Sequence, residues 1–200
     1  RLIRGPSKRT SGLKTRAVAT AATLTALGLV ISPLSFDWLG TRAFPGQHLI
    51  NVLAAIILGP QWAAAIAISI GSMRIAMGTG TIFAYSGGIP GGIIVGIFYI
   101  FTSRFKSPYR RYLAAFTEPV GTVLIGATIS LLIVAPAVGP GVGPSGVMLK
   151  SLESLGAFGA LLVLWGGWLV SSLIGSIIGY LLTVAADRYG VLDRLRRAGK

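Results

Sequence analysis

Apolar residues run along this chain in long uncharged stretches, and the breaks between the stretches carry almost all of its charge. Ala17 to Phe36 gives 20 apolar or small residues in a row. Ala43 to Met73 gives 31 uncharged residues interrupted only by Gly59-Pro60, Ile75 to Ser103 another 29, and Ser154 to Ala186 a further 33. A membrane-crossing helix needs about 20 predominantly apolar residues. The pattern therefore predicts spanning helices at Ala17–Phe36, about Ala43–Leu58, about Gln61–Met77, about Pro90–Phe101 with an earlier start left open, Tyr112–Ala135 and Leu155–Ala186.

The count of six rests on the positions of the cations. Fifteen of the 18 Lys and Arg residues fall in three blocks, at residues 1–16, 104–111 and 188–200. Loops on the cytoplasmic side of membrane proteins carry the Lys/Arg excess, so all three blocks belong on that side and the number of spans between them must be even. Reading Ala43–Met73 as one helix would break that parity. Gly59-Pro60 is therefore expected to be a tight cytoplasmic turn, since Gly admits left-handed dihedrals and Pro cannot extend the preceding helix. Three outer loops follow, at Pro33–Arg42, Gly78–Gly88 and Pro136–Leu149. The expected organisation is a basic cytoplasmic N-terminal extension (1–16), a six-helix membrane domain (17–186) and a basic cytoplasmic tail (187–200). The fold class is all-α integral membrane protein with both termini cytoplasmic. Ala17–Phe36 is too long for a signal-peptide core and lacks a small-residue cleavage pattern, so it is read as a retained span.

Composition agrees. The chain is 53% hydrophobic with a mean hydropathy of +0.77, and 12% charged against about 25% for soluble domains. A net charge of +13 would suggest nucleic acid in a soluble protein. Here the charges flank apolar segments, so anionic lipid and a cytoplasmic partner are expected, and no nucleic acid. Without cysteine there is no disulfide and no thiolate site, and one histidine excludes a His-rich metal centre. No Gly-x-Ser-x-Gly elbow, close carboxylate pair or Walker loop is present. No catalytic residues, no metal and no enzyme activity are expected.

A few polar residues interrupt the apolar runs. Gln47, His48 and Asn51 are i,i+4 and i,i+3 neighbours at the outer start of the second span, next to Phe44. Polar groups in a membrane tend to face the bundle interior or a cavity, so they form either a ligand site or interhelical hydrogen bonds. Arg74 lies near the outer end of the third span and either snorkels to the interface or serves a site. The Gly78–Gly88 segment, with Tyr85, reads as a lid or pocket wall. Glu118 is the one carboxylate well inside a span. Counted from the cytoplasmic end of span five, it is expected far from the outer polar cluster, paired with a basic residue or a backbone amide. Trp165 and Trp168 lie deeper in span six than an interfacial belt predicts. Ala17 and Ala21 share a face of span one and fit close helix packing, within the bundle or against another subunit.

The order Gly40 to Tyr99, with its Phe44–Asn51 opening, Gly59-Pro60, Arg74 and Gly78-Thr79-Gly80-Thr81 loop, resembles the ThiW family. Glu118-Pro119-Val120-Gly121-Thr122 adds to the likeness. ThiW proteins are substrate-binding S components of energy-coupling factor (ECF) vitamin transporters. The resemblance implies a six-helix S-component fold that captures the hydroxyethylthiazole precursor of thiamine at the outer face of the cell membrane. It also implies partners, a transmembrane T component and two cytoplasmic ATPase (A) subunits. ATP is used by those subunits, and this chain binds no cofactor. Ala17 and Ala21 match the docking motif of S components. For such a ligand, Phe44, Tyr85, Trp38 and Trp165 are candidate aromatic faces. Gln47, His48, Asn51 and Arg74 are candidate polar contacts. Alternatives are an S component for the pyrimidine moiety of thiamine, for thiamine itself or for another small vitamin, and a channel or carrier independent of ATPases.

Overall fold

The computed structural model describes residues 8–38, 41–192 and 194. Among them six principal helices and one short hairpin are formed. Helix α1 spans Lys8–Ile31, and strands β1 (Phe36–Trp38) and β2 (Thr41–Ala43) make the hairpin, in antiparallel register with Asp37 opposite Arg42. Helices α2 (Pro45–Leu58), α3 (Pro60–Ala76) and α4 (Phe83–Thr102) follow. Helix α5 runs over Pro108–Val138, and α6 over Ser145–Arg188 with a kink at Gly156, whose φ is +69°.

This is an all-α membrane protein. Three helices, α4, α5 and α6, are long and apolar enough to cross a membrane, and Thr15–Ile31 and Pro45–Leu58 are shorter apolar helices. Large apolar side chains such as Ile100, Phe101, Ile133, Phe158 and Leu181 stay more than half exposed. In water such a surface would drive association; in lipid it needs no cover.

The helices alternate in direction. Gly46 meets Ile31, and Gly28 meets Ile50 and Ile70, so α1 lies antiparallel to α2. Gly88, Gly92 and Gly96 of α4 descend past Ala67, Ala63 and Pro60 of α3. Gly121 and Gly126 of α5 rise past Pro90 and Ser86 of α4. At the end where α2 starts lie the hairpin, the 77–82 loop and the 139–144 loop. At the opposite end lie the Gly59 turn, the 103–107 loop, the start of α1 and the end of α6. There the second and third basic blocks meet: Arg111 pairs with Asp187 at 3.7 Å, and Arg188 lies over the Tyr109 ring. Residues 1–7 and 195–200, which carry Arg1 and Arg4 of the first block and Arg196, Arg197 and Lys200 of the third, lie outside the described residues.

Helix α2 is the axis of the bundle. It contacts α1, α3, α4 and α6, and Ile50, Val52, Ala54 and Ala55 are wholly buried. Pro45 occupies its first turn, where the missing N–H has no helical partner to lose. Gly59 alone connects it to α3, with φ +96° and its N–H donating to Ala55 O at 3.0 Å. A side chain at that φ would be strained, and Pro60 starts the next helix, so the expected tight turn is present.

Three boundaries differ from expectation. Helix α1 stops at Ile31 because Pro33 cannot continue it, and Phe36 enters the hairpin instead of ending the span. Helix α4 begins at Phe83, so Tyr85 to Gly88 are helical rather than loop. The glycines that suggested flexibility instead permit contact: a Cβ on Gly92 would stand 3.0 Å from Ala63 Cβ, and one on Gly96 2.7 Å from Pro60. Helix α6 begins at Ser145, ahead of the Gly156 kink, and the expected Pro136–Leu149 loop shrinks to residues 139–144.

Candidate functional site

A cavity of about 450 Å³ opens at the hairpin end of the bundle. Its walls come from the hairpin, the first turn of α2, the end of α3, the start of α4 and the middle of α6. The volume falls within the range of small-molecule sites.

Four residues expected at a site line it: Phe44, Gln47, His48 and Arg74. Phe44 precedes α2, and its N–H donates to Ser171 Oγ of α6 at 2.8 Å, which fixes where the helix begins. His48, one turn further on, is 8% exposed. A Cβ on Gly175 would stand 2.5 Å from His48 Cβ, so glycine there lets α6 close on the histidine's own turn. Trp168 is the large aromatic wall from α6, facing Gly87 of α4, where a Cβ would stand 3.1 Å from the indole and glycine lets the ring sit close.

Beneath His48 lies a closed polar network. Glu118, fully buried, receives Asn51 Nδ2 at 2.9 Å and Thr122 Oγ1 at 2.6 Å on Oε1, and the Ser172 hydroxyl on Oε2. His48 Nδ1 is 2.9 Å from the same Oε1. Asn51 also donates to Gly88 O at 3.0 Å and accepts from Gln47 Nε2 at 3.3 Å. With Glu118 taken as an ionised carboxylate, which only accepts, a hydrogen is assigned to His48 Nδ1 and Nε2 is the ring nitrogen outside this network. Burying such a cluster is tolerable because every member is paired.

The network corrects the expected place of Glu118. It is not remote from the polar cluster but joins Gln47, His48 and Asn51 to α5 and α6. The short helix is the reason. Asn51 is seven residues before the end of α2 at Leu58, about 10 Å at the helical rise, and Glu118 is ten residues into α5, about 15 Å. The two side chains therefore stand at similar depth.

Three other expected contacts are not cavity walls. Asn51 is 1% exposed and works from below, through Gln47 and Glu118. Tyr85 turns toward α3, its OH 2.9 Å from Ser72 Oγ and its ring against Gly71. Trp165 donates from Nε1 to Thr128 Oγ1 at 3.1 Å and packs on a second core with Phe83 and Leu131. Its neighbour three residues on, Trp168, takes the wall. Trp38 lies on the hairpin, 45% exposed. Ala21 is buried in the main core and Ala17 is half-buried, whereas Ala22 and Ala26 face outward.

The rim of the cavity is cationic. Arg74 is stacked on the Phe44 ring, its Cζ 4.1 Å from the centroid, with Arg42 5.9 Å from the same ring. Arg74 also ties down the loop that follows it. Its O accepts from Thr79 N and Gly80 N, both at 2.9 Å, and its Nη2 donates to Thr79 O at 3.2 Å. Among the described residues no group of three or more His, Cys, Asp or Glu is placed to hold a metal ion.

Neither a curated protein nor a solved structure matches the chain. The family model for the thiamine-precursor transporter protein ThiW does, over residues 18–189, which takes in the whole cavity and every helix except the first turns of α1. The chain is a member of the ThiW family of thiamine-precursor transporters.

Proposed function

We propose that this chain is the substrate-binding S subunit of an ECF-type transporter in the cell membrane, and that it captures the hydroxyethylthiazole precursor of thiamine. In this reading it crosses the membrane six times, with the basic blocks in the cytoplasm and the cavity facing out. A T component and two ATPase subunits supply the energy.

The observation that carries the reading is the cavity floored by His48 at the end of the bundle away from the basic blocks. Its aromatic walls, Phe44 and Trp168, suit a flat heteroaromatic ring. His48 Nε2 and Gln47 suit its hydroxyl and ring nitrogen. The sequence has no nucleotide-binding loop, which agrees with energy coming from other polypeptides.

Uptake by proteoliposomes tests the reading. Thiazole accumulation is expected only when the T and ATPase subunits are reconstituted with this chain and ATP is enclosed. Accumulation by the chain alone under an ion gradient would replace this with a self-sufficient carrier, for which the buried His48–Glu118 pair is a ready proton site. Binding of the pyrimidine moiety or of thiamine in preference to the thiazole would keep the S-subunit role and change the substrate.

A further inference from the structure

Arg74 is 5% exposed, lines the cavity, and has no carboxylate partner among the described residues. Its Nη2 is satisfied by Thr79 O, but its Nε is buried without any hydrogen-bond partner. A guanidinium removed from water needs a counter-charge or a full set of acceptors, and Arg74 has one carbonyl and one aromatic face. The second rim cation does not relieve it. Arg42 shares the Phe44 ring, and like charges held together repel.

Among the described residues no other charged group at the cavity forms an ion pair with Arg74. Asp37, the only acid among the lining residues, stands opposite Arg42 in the hairpin register, and Arg42 Nε donates to Ser35 Oγ at 3.0 Å. Glu118 is taken up by His48, Asn51, Thr122 and Ser172 below the floor. The cavity is thus two-ended, with a hydrogen-bonding floor and a rim that carries a buried cation outside any ion pair among the described residues.

We propose that the transported molecule carries an oxyanion, a phosphate monoester or a carboxylate, on its ring or side chain, and that Arg74 binds that group while the ring lies between Phe44 and Trp168. The Nη hydrogens of Arg74 that Thr79 O does not take are the donors that planar or tetrahedral oxyanions accept. Arg42 adds long-range attraction at the mouth. The proposal rests on the cavity being the transport site and changes the substrate class from a neutral alcohol to its anionic form.

Calorimetry on the purified full chain with three probes tests it: hydroxyethylthiazole, its phosphate monoester, and inorganic phosphate. One charge-assisted contact predicts that the ester binds roughly tenfold or more tightly than the alcohol. That preference should disappear in Arg74→Gln, persist in part in Arg74→Lys, and shrink with rising salt while the alcohol's affinity stays constant. The salt series on the unmodified protein keeps the test valid if Arg74→Gln does not fold. An alcohol that binds as well as the ester, or a preference that survives in Arg74→Gln, overturns the proposal and leaves the thiazole reading standing. Inorganic phosphate binding that depends on Arg74, with neither thiazole bound, supports the anion site and removes the thiazole. Binding of none of the three overturns both.

Discussion

His48 Nδ1 stands 2.9 Å from Glu118 Oε1, and this pair links the cavity floor on α2 to the interior of α5. The contact determines what the cavity meets, because a hydrogen held on Nδ1 leaves Nε2 as the exposed ring nitrogen. Glu118 is thus a positioning residue that acts through His48.

Glu118→Gln should release that tautomer. The amide can present its own hydrogens to Nδ1, which moves the ring hydrogen to Nε2 and turns an acceptor into a donor. The chain contains one histidine, so ¹⁵N spectra of tag-free protein report His48 alone. Nδ1–H is expected in the native protein and Nε2–H in the variant, with ligand affinity falling roughly tenfold for one mismatched contact. Glu118→Ala, which takes the carboxylate from His48, Asn51 and Ser172 while Thr122 keeps Gly87 O at 2.9 Å, should cost about 3–5 kcal/mol of stability. An unchanged spectrum in Glu118→Gln would separate Glu118 from the site.

Gly175→Ala tests the close approach of α6 to α2. The added Cβ would meet His48 Cβ and Pro45 O, both at 2.5 Å, and Leu49 N at 2.8 Å. Backbone atoms cannot swing aside, so the helices must part. A loss of about 1–3 kcal/mol is expected from thermal unfolding, together with weaker ligand binding because the displaced turn carries His48. Full stability with full binding would mean that this contact is looser than the geometry requires.

The sequence made the bundle legible because lipid imposes a simple rule: uncharged runs must be helices, and the cations mark their ends. Gly59-Pro60 and the polar opening of α2 followed from that rule. Glu118 did not, because a span's nominal end does not give depth when α2 is shorter than α5. The pair Glu118 and Thr122, one helical turn apart, was the available signal. Trp165 and Trp168 were not separable either, since three residues along a helix change the facing direction by less than a turn and both are half-buried. The glycines of α4 resembled a loop because a single sequence does not reveal that Ala63 and Pro60 sit against them.

The two tryptophans make a matched pair of predictions. Trp168→Ala removes a cavity wall, and loss of one aromatic contact of about 1 kcal/mol should weaken heteroaromatic binding roughly fivefold. Trp165→Phe keeps the core contact with Phe83 and Leu131 but loses the hydrogen bond to Thr128, so stability should drop by about 1 kcal/mol with binding unchanged. Ligand titrations and melting curves on both variants check the assignment, and the reverse pattern would put Trp165 at the site.

The absence of cysteine makes the topology directly measurable. Lys106 and Val142 are both exposed, and they lie in loops at opposite ends of the bundle. If the basic blocks are cytoplasmic, Val142→Cys reacts with a membrane-impermeant maleimide in intact cells, and Lys106→Cys reacts only after the membrane is opened. The two positions flank α5, so the experiment also asks whether that helix crosses the bilayer. Equal labelling of both from outside would deny the crossing. Labelling of position 106 alone would invert the molecule and turn the His48 cavity toward the cytoplasm. In that orientation Arg74 would meet cytoplasmic anions, and capture from the medium could not be the role of this site.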